Sequence, residues 1–264
     1  MKNSTATIQQ RQTKLLNHIQ HKGTCSVAEL SSFLHVSQVT IRRDLDELEA
    51  KKLITRHFGG AQAVTQINKE DEPIYMASIS QNMDCKHAIA KAAAEMLEDG
   101  DTVFVNSSAT ALLIYPYITK DVMIITNNGR SLQVEKPSNV SLLLTGGEVH
   151  GNKQSLTGPI AENMLTQVTA SKCIIGVSGI SIEGGITSRV MQETSINKTM
   201  LERCSGAKIV VADHTKIGLE HNFYSGNIQD ITHLITDSQA DPSKIDQIKA
   251  AGIKVKIVAP YMPE

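Results

Sequence analysis

Residues 40–61, TIRRDLDELEAKKLITRHFGGA, join an arginine-bearing amphipathic helix to a glycine-turned pair of strands. Ile41, Leu45 and Leu48 recur at i, i+4 and i+7, so one stripe turns inward while Val39, Arg43 and Asp46, flanked by Thr40 and Arg42, turn outward. Upstream, Ser26 and Glu29 have the spacing of a capping box ahead of Val27, Ala28, Leu30 and Leu34. Ser37 offers a second cap that starts the next helix at Gln38. The order is helix, turn, helix, followed by strands at 54–58 and 61–64 around Gly59 and Gly60, which form a wing.

That arrangement suits double-stranded DNA. Arg42 and Arg43 lie near the amino-terminal end of the second helix, where a guanidinium reaches guanine edges or phosphates. Val39 and the Thr40 methyl can touch a thymine methyl, and Gln38 can read adenine. Arg56 on the wing would follow the phosphate backbone, adding affinity without sequence information. Asp44, Asp46, Glu47 and Glu49 repel phosphate, so only the first turns of the helix are expected to enter a groove. The competing reading is a plain helical hairpin whose arginines pair with Asp44, Asp46 and Glu47 at the surface.

Charge divides the chain in the same place. Residues 1–64 carry 9 Lys and Arg against 5 Asp and Glu, a net +4; the rest carries 17 against 22, a net −5, giving the whole-chain −1. A chain of 264 residues, 41% hydrophobic, is long enough for two domains. We place a winged helix-turn-helix at 8–64, a linker at 65–84 around Pro73 and its acidic cluster, and an α/β domain at 85–258. Lys2, Asn3, Gln9, Gln10 and Arg11 stand where a signal peptide needs an apolar run, and no segment approaches membrane-spanning length. A cytoplasmic protein without a membrane partner is expected. Cys25, Cys85, Cys173 and Cys204 lack paired metal spacing and read as reduced thiols, so neither metal nor cofactor is expected.

From Cys85 onward, apolar strands and amphipathic helices alternate. Strands are expected at 102–105, 122–126, 140–144, 173–177, 209–212, 234–235 and 255–258. Helices are expected from Ile89 to Leu97 and at 109–118, 160–167, 193–203 and 243–251. This pattern predicts a largely parallel sheet, whose ligands gather at the carboxyl ends of the strands. The residues there are small and polar: Asn106, Ser107, Ser108 and Thr110; Thr126, Asn127 and Asn128; Gly146 and Gly147. Asp213 can accept from hydroxyls and Lys216 can meet an anion, with Glu193 at the start of a helix. Together they suit a phosphorylated polyhydroxy ligand, although Ser, Thr, Asn and Gly are also common turn formers.

Over about Gln9 to Asp237 the chain resembles bacterial transcription regulators of the DeoR family. The resemblance lies in SVAEL, VSQVTIRRDLDELE and GGA in the first part. It continues in KHAIAKAAA, EDGDTVFV, TNN, TGG, LTGPIAE, IIGVSGI, GGITS, ADHTKIG and ITD in the second. It implies a winged helix-turn-helix with a sensor domain similar to the ribose-5-phosphate isomerase and CoA-transferase folds. It also implies a homo-oligomeric repressor of sugar or polyol genes whose DNA affinity responds to a phosphorylated sugar or polyol. Where such regulators commonly carry an acidic residue followed by Gly-Thr-Thr, this chain has Asn106, Ser107, Ser108, Ala109 and Thr110. Lys52 replaces the usual glycine and Phe58 the usual histidine. The alternative function is a sugar-phosphate isomerase-like enzyme fused to a DNA-binding segment, with Asp213, Glu193 or Lys216 in acid–base roles.

Overall fold

The computed structural model describes residues 11–12, 14–15, 18–19, 24–34, 36–50, 54–57, 60–63, 81–151 and 153–261. The chain divides into two compact units, Met1–Lys69 and Glu70–Glu264. The expected linker at 65–84 falls mostly outside the described residues, as do Lys52 and Phe58.

In the first unit, β1 (Thr24–Ser26) runs into α1 (Val27–Leu34), and α2 spans Gln38–Ala50. The capping box forms as its spacing requires: the Ser26 backbone N–H donates to Glu29 Oε2 at 2.8 Å, and the Glu29 N–H donates to Ser26 Oγ at 3.2 Å. Ser37 Oγ accepts the Thr40 N–H at 3.2 Å and starts α2. The turn between the helices is closed by the Ser31 hydroxyl donating to the Val36 carbonyl at 2.6 Å. The wing strands are β2 (Ile54–His57) and β3 (Gly60–Ala63), antiparallel in register Ile54↔Ala63. β1 adds a third strand on the other side of β3, which the alternation rule did not anticipate in so short a segment. Leu15, Ile19, Val27, Leu30, Ile41, Leu45, Leu48 and Ile54 form one core between helices and sheet. The stripe at 41, 45 and 48 is therefore spent inward.

In the second unit, seven parallel strands stand in the order β15-β14-β12-β9-β4-β5-β6. They are β4 (Thr102–Val105), β5 (Val122–Thr126), β6 (Val140–Leu144), β9 (Ala170–Gly176), β12 (Cys204–Val211), β14 (His233–Asp237) and β15 (Lys254–Val258). The chain builds outward from β4 through β5 and β6, then restarts at β9 on its other flank, so the switch point lies between β4 and β9. The helices are α3 (Met83–Ala94), α4 (Ala109–Leu112), α5 (Pro159–Thr166), α6 (Thr194–Glu202) and α7 (Pro242–Ala250). Period-two alternation gives the sheet two buried faces: Val103, Val105 and Ile174 pack with Ile89 and Tyr115, whereas Phe104, Cys173 and Ile175 pack with Leu165, Met200 and Ile245.

Several boundaries differ from those expected. The helix expected over 109–118 ends as α4 at Leu112 and resumes as a 3₁₀ turn, Tyr115–Tyr117, because Pro116 lacks the N–H a continuing α-helix needs. β9, β12 and β14 are longer than their most apolar stretches. Five short strands carried too little periodicity to predict: the hairpin β7 (Glu148–His150) and β8 (Ser155–Thr157), and the antiparallel sheet of β10 (Gly179–Ser181), β11 (Gly185–Ser188) and β13 (Phe223–Gly226).

Candidate functional site

A cavity opens at the carboxyl ends of β4 and β9, at the switch point of the sheet. Its lining includes Asn106, Ser107, Ser108, Ala109 and Thr110 from the β4 loop and α4, and Gly176 and Ser178 from the end of β9. Thr187 and Ser188 come from β11 and Arg189 follows it, while Glu193 precedes α6 and Asn197 lies in its first turn; Lys86, Lys153 and Lys216 are also in the lining. Asn106 spans the switch point. Its side-chain nitrogen donates to the Gly176 carbonyl at 2.8 Å, while its side-chain oxygen accepts the Gly176 N–H at 3.0 Å. The two strand ends are thereby clamped, which a carboxylate could not do in the same way because it has no donor. Ser108 caps α4, accepting from the Thr110 and Ala111 N–H groups at 3.2 and 3.4 Å. A Cβ at Gly176 would overlap the Ser108 hydroxyl, so glycine is required for the loop to close over β9.

Glu193 is only 6% exposed, yet it is held by five donor contacts. Ser155 donates at 2.8 Å, Ser107 and Ser188 at 3.4 Å, and Lys153 Nζ lies 3.2 Å from both carboxylate oxygens. A carboxylate so satisfied orders the β4 and β8 hydroxyls around itself. Lys86 is 3% exposed; burial pushes its ammonium pKa down, opposed by Asp213 and reinforced by Lys216. Its Nζ donates to the Gln81 carbonyl at 2.8 Å and stands 4.0 Å from Asp213 Oδ2. Four cationic side chains, Lys86, Lys153, Arg189 and Lys216, therefore face a cavity whose lining includes one carboxylate, Glu193. The arrangement favours an anion flanked by hydroxyl and amide groups.

Six of the expected ligand residues lie outside this lining. Thr126, Asn127 and Asn128 are buried beneath it: the Asn127 amide donates to the Leu156 carbonyl at 3.1 Å, and Asn128 caps the following turn through the Arg130 N–H. Gly146 and Gly147 hold φ of 69° and 105° and turn the chain toward β7, where a Cβ at 147 would meet the Thr157 carbonyl and Ala161. Asp213 caps its own turn through the Thr215 N–H at 3.0 Å and reaches the cavity only through Lys86. Conversely, Lys86, Lys153, Thr187, Ser188, Arg189 and Asn197 line the cavity without having been singled out. The one legible signal was Lys86, a lysine within the apolar KHAIAKAAA run.

On α2 of the first unit, Gln38, Val39, Arg42 and Arg43 are exposed, Val39 at 63%, and Thr40 is half-buried. The acids of the same helix are engaged elsewhere. Arg11 holds buried Asp44 through two bonds of 2.6 and 2.8 Å, and the Arg11 pKa is raised chiefly by that hydrogen bonding. Arg56 pairs with Asp46, so the expected phosphate contact of Arg56 starts from an ion pair that DNA must exchange. Among the described residues Asp44 and Asp46 pair with Arg11 and Arg56, rather than with the Arg42 and Arg43 of the helical-hairpin reading.

Residues 81–238 match the DeoR C terminal sensor domain and residues 11–67 the DeoR-like helix-turn-helix domain. The chain belongs to the DeoR family. It is 30% identical to the uncharacterized HTH-type transcriptional regulator YulB of Bacillus subtilis, over 95% of this chain and 97% of that protein. It is 34% identical to the lactose phosphotransferase system repressor of Streptococcus mutans, over 87% and 90%. Among solved structures, ribose 5-phosphate isomerase A of Methanocaldococcus jannaschii is 14% identical over 52% of this chain and 55% of its own, with a TM-score of 0.38. As a DeoR-family protein the chain is a transcription regulator rather than an enzyme, with a helix-turn-helix followed by a parallel α/β sensor domain.

Proposed function

We propose that this DeoR-family regulator represses a sugar or polyol utilisation operon, binding operator DNA through Gln38, Val39, Thr40, Arg42, Arg43 and Arg56, and that a phosphorylated sugar or polyol alters that binding. The observation that carries the effector reading is the charge of the cavity: four cationic side chains and a bank of hydroxyls at the sheet's switch point. Phosphate would meet Lys86, Lys216 and Arg189, and the sugar hydroxyls would meet Asn106, Ser107, Thr187 and Glu193. The lactose phosphotransferase repressor, a relative by sequence, supports a sugar-linked role. The protein acts in the cytoplasm as a homo-oligomer, whose symmetry would present paired helices to operator half-sites.

A metabolite releases DNA only if it binds the DNA-incompetent state more tightly. The test is an electrophoretic shift on the DNA flanking the regulator's own gene, repeated with a panel of pentose, hexose and polyol phosphates. Specific binding that one phosphate changes, and its unphosphorylated parent does not, supports the reading. The absence of any specific site defeats the operator assignment, and indifference to every phosphate defeats the effector assignment.

A further inference from the structure

Beside the cavity, three groups of different chemistry converge from separate elements. Cys85 comes from the first turn of α3, His214 from the turn after β12, and Asp237 from the last position of β14. One ligand-capable atom of each lies within 4.8 Å of the other two. His214 Nδ1 stands 3.0 and 3.1 Å from the two Asp237 oxygens. Cys85 and Asp237 are buried, whereas the His214 side chain keeps 22% of its surface, which leaves an approach from solvent.

We propose that Cys85, His214 and Asp237 form a mononuclear site for a divalent borderline-soft cation, with zinc the ion its ligands suit. A thiolate sulfur, an imidazole nitrogen and a carboxylate oxygen are a set that zinc accepts in tetrahedral geometry, with water in the fourth position. Bond lengths of about 2.0–2.3 Å place tetrahedral ligands about 3.3–3.7 Å apart, so His214 and Asp237, at 3.0 and 3.1 Å, need to part slightly while Cys85 Sγ, within 4.8 Å of both, has at most about 1 Å to close. On binding, the Cys85 S–H proton leaves to solvent and the thiolate pair enters the metal bond; the His214 ring stays neutral, its proton passing from Nδ1, which faces Asp237, to Nε2, so that the Nδ1 lone pair enters the metal bond.

The surroundings hold the ligand atoms in place. The Asp237 carboxylate is oriented by the backbone N–H groups of His214, at 2.8 Å, and Gln239, at 3.0 Å. The Gln239 side-chain amide donates to Cys85 Sγ at 3.4 Å. Donors placed behind ligand atoms in this way fix their direction and moderate thiolate charge. Cys85 adjoins Lys86 and His214 adjoins Asp213, so an ion here would be held by the chain neighbours of the Lys86–Asp213 pair, of which Lys86 lines the cavity.

The test is titration of chelator-treated, reduced full-length protein with Co²⁺, followed by displacement with Zn²⁺. One equivalent per chain, a thiolate-to-cobalt charge-transfer band in the near ultraviolet and loss of that band on adding Zn²⁺ are expected. Cys85→Ser, with an unchanged far-ultraviolet circular dichroism spectrum, should lose the band. His214→Ala should keep the thiolate signature while lowering affinity by at least about tenfold. Absence of the band in the wild-type protein, its survival in Cys85→Ser, or unaltered affinity in His214→Ala each overturns the proposal.

Discussion

Asn106 and Asn197 meet side chain to side chain, amide nitrogen to carbonyl oxygen at 2.9 Å, joining the end of β4 to the inner face of α6. Since the same Asn106 amide clamps Gly176 at the end of β9, a single buried side chain ties together both flanks of the switch point and the helix that covers it. Asn106→Ala should therefore cost about 1–3 kcal/mol by leaving the Gly176 groups unsatisfied. Asn197→Ala should cost less, and the double variant should cost less than the two single effects combined. Urea unfolding of the four proteins measures this coupling; strictly additive effects would mean that the two asparagines act independently.

Glu193 depends on Lys153 in a way the converse is not true, because the carboxylate is buried while the ammonium keeps a quarter of its surface. Lys153→Met should destabilise the sensor unit by about 1–2 kcal/mol, the cost of leaving a buried carboxylate to its three serine donors. Pairing Lys153→Met with Glu193→Gln should recover part of that loss. Thermal unfolding checks both, and an unchanged melting temperature in Lys153→Met would remove the pair from the account.

Asp101 lies at the opposite end of the sheet, where burial pushes its pKa up but hydrogen bonds from Lys172, Ser171 and the Glu98 N–H outweigh it and hold it below 3.8. A carboxyl whose folded pKa is depressed binds fewer protons than the unfolded chain, so its stabilisation is complete above the unfolded value and lost as pH falls through the folded one. Lys172, raised above 10.5 despite burial, loses its share only on the alkaline side. The pair's contribution should thus be level through neutrality. Melting temperatures measured from pH 2 to 6 should fall less steeply in Asp101→Asn than in the wild type; parallel curves would be the contrary result.

In the first unit, Arg11→Ala strands the buried Asp44 carboxylate and should cost about 3 kcal/mol, whereas Arg11→Leu with Asp44→Leu should recover much of it. Hydrogen exchange of the α2 amides measures the local effect. Equal protection in the wild type and Arg11→Ala would show that Asp44 is satisfied without its cation.

Arg43→Ala touches no ion pair among the described residues, so it should leave stability near wild type while weakening specific DNA binding by about tenfold or more. Binding curves over a series of salt concentrations decide the matter: a loss with an unchanged salt slope marks a base contact, a loss with a shallower slope marks a phosphate contact, and unchanged affinity removes Arg43 from the interface.

Features governed by neighbours in sequence were the most legible. The Ser26–Glu29 box, the Ser37 cap and the inward stripe of Ile41, Leu45 and Leu48 need only one or two turns of helix to express themselves. β4, β5 and β6 were equally plain as short apolar runs, although only β4 is buried along nearly its whole length and β6, at the sheet edge, leaves Ser141 and Leu143 exposed. Convergence was harder. Asn106, Ser107, Ser108 and Thr110 share a loop and arrive at the cavity together, but Lys153 reaches it from a hairpin turn and Arg189 from just after β11. Nothing local distinguishes those two from solvated surface cations. Thr126, Asn127 and Asn128 occupy the strand end that the parallel-sheet rule favours, yet the β7–β8 hairpin lies over them and takes their hydrogen bonds. The wide spacing of the cysteines argued against metal, although Cys85, His214 and Asp237 are brought together by three elements far apart along the chain.

Gly176 sets a hierarchy of tolerance around the cavity. Arg189 at the rim is exposed, its guanidinium donating to His221 Nε2 at 3.4 Å, so exchanging it should alter what the pocket holds with little effect on the sheet beneath it. A methyl group at Gly176 would instead displace Ser108, uncap α4 and part β4 from β9 in one stroke. The instrument can be retuned at its edge because its pivot admits no adjustment.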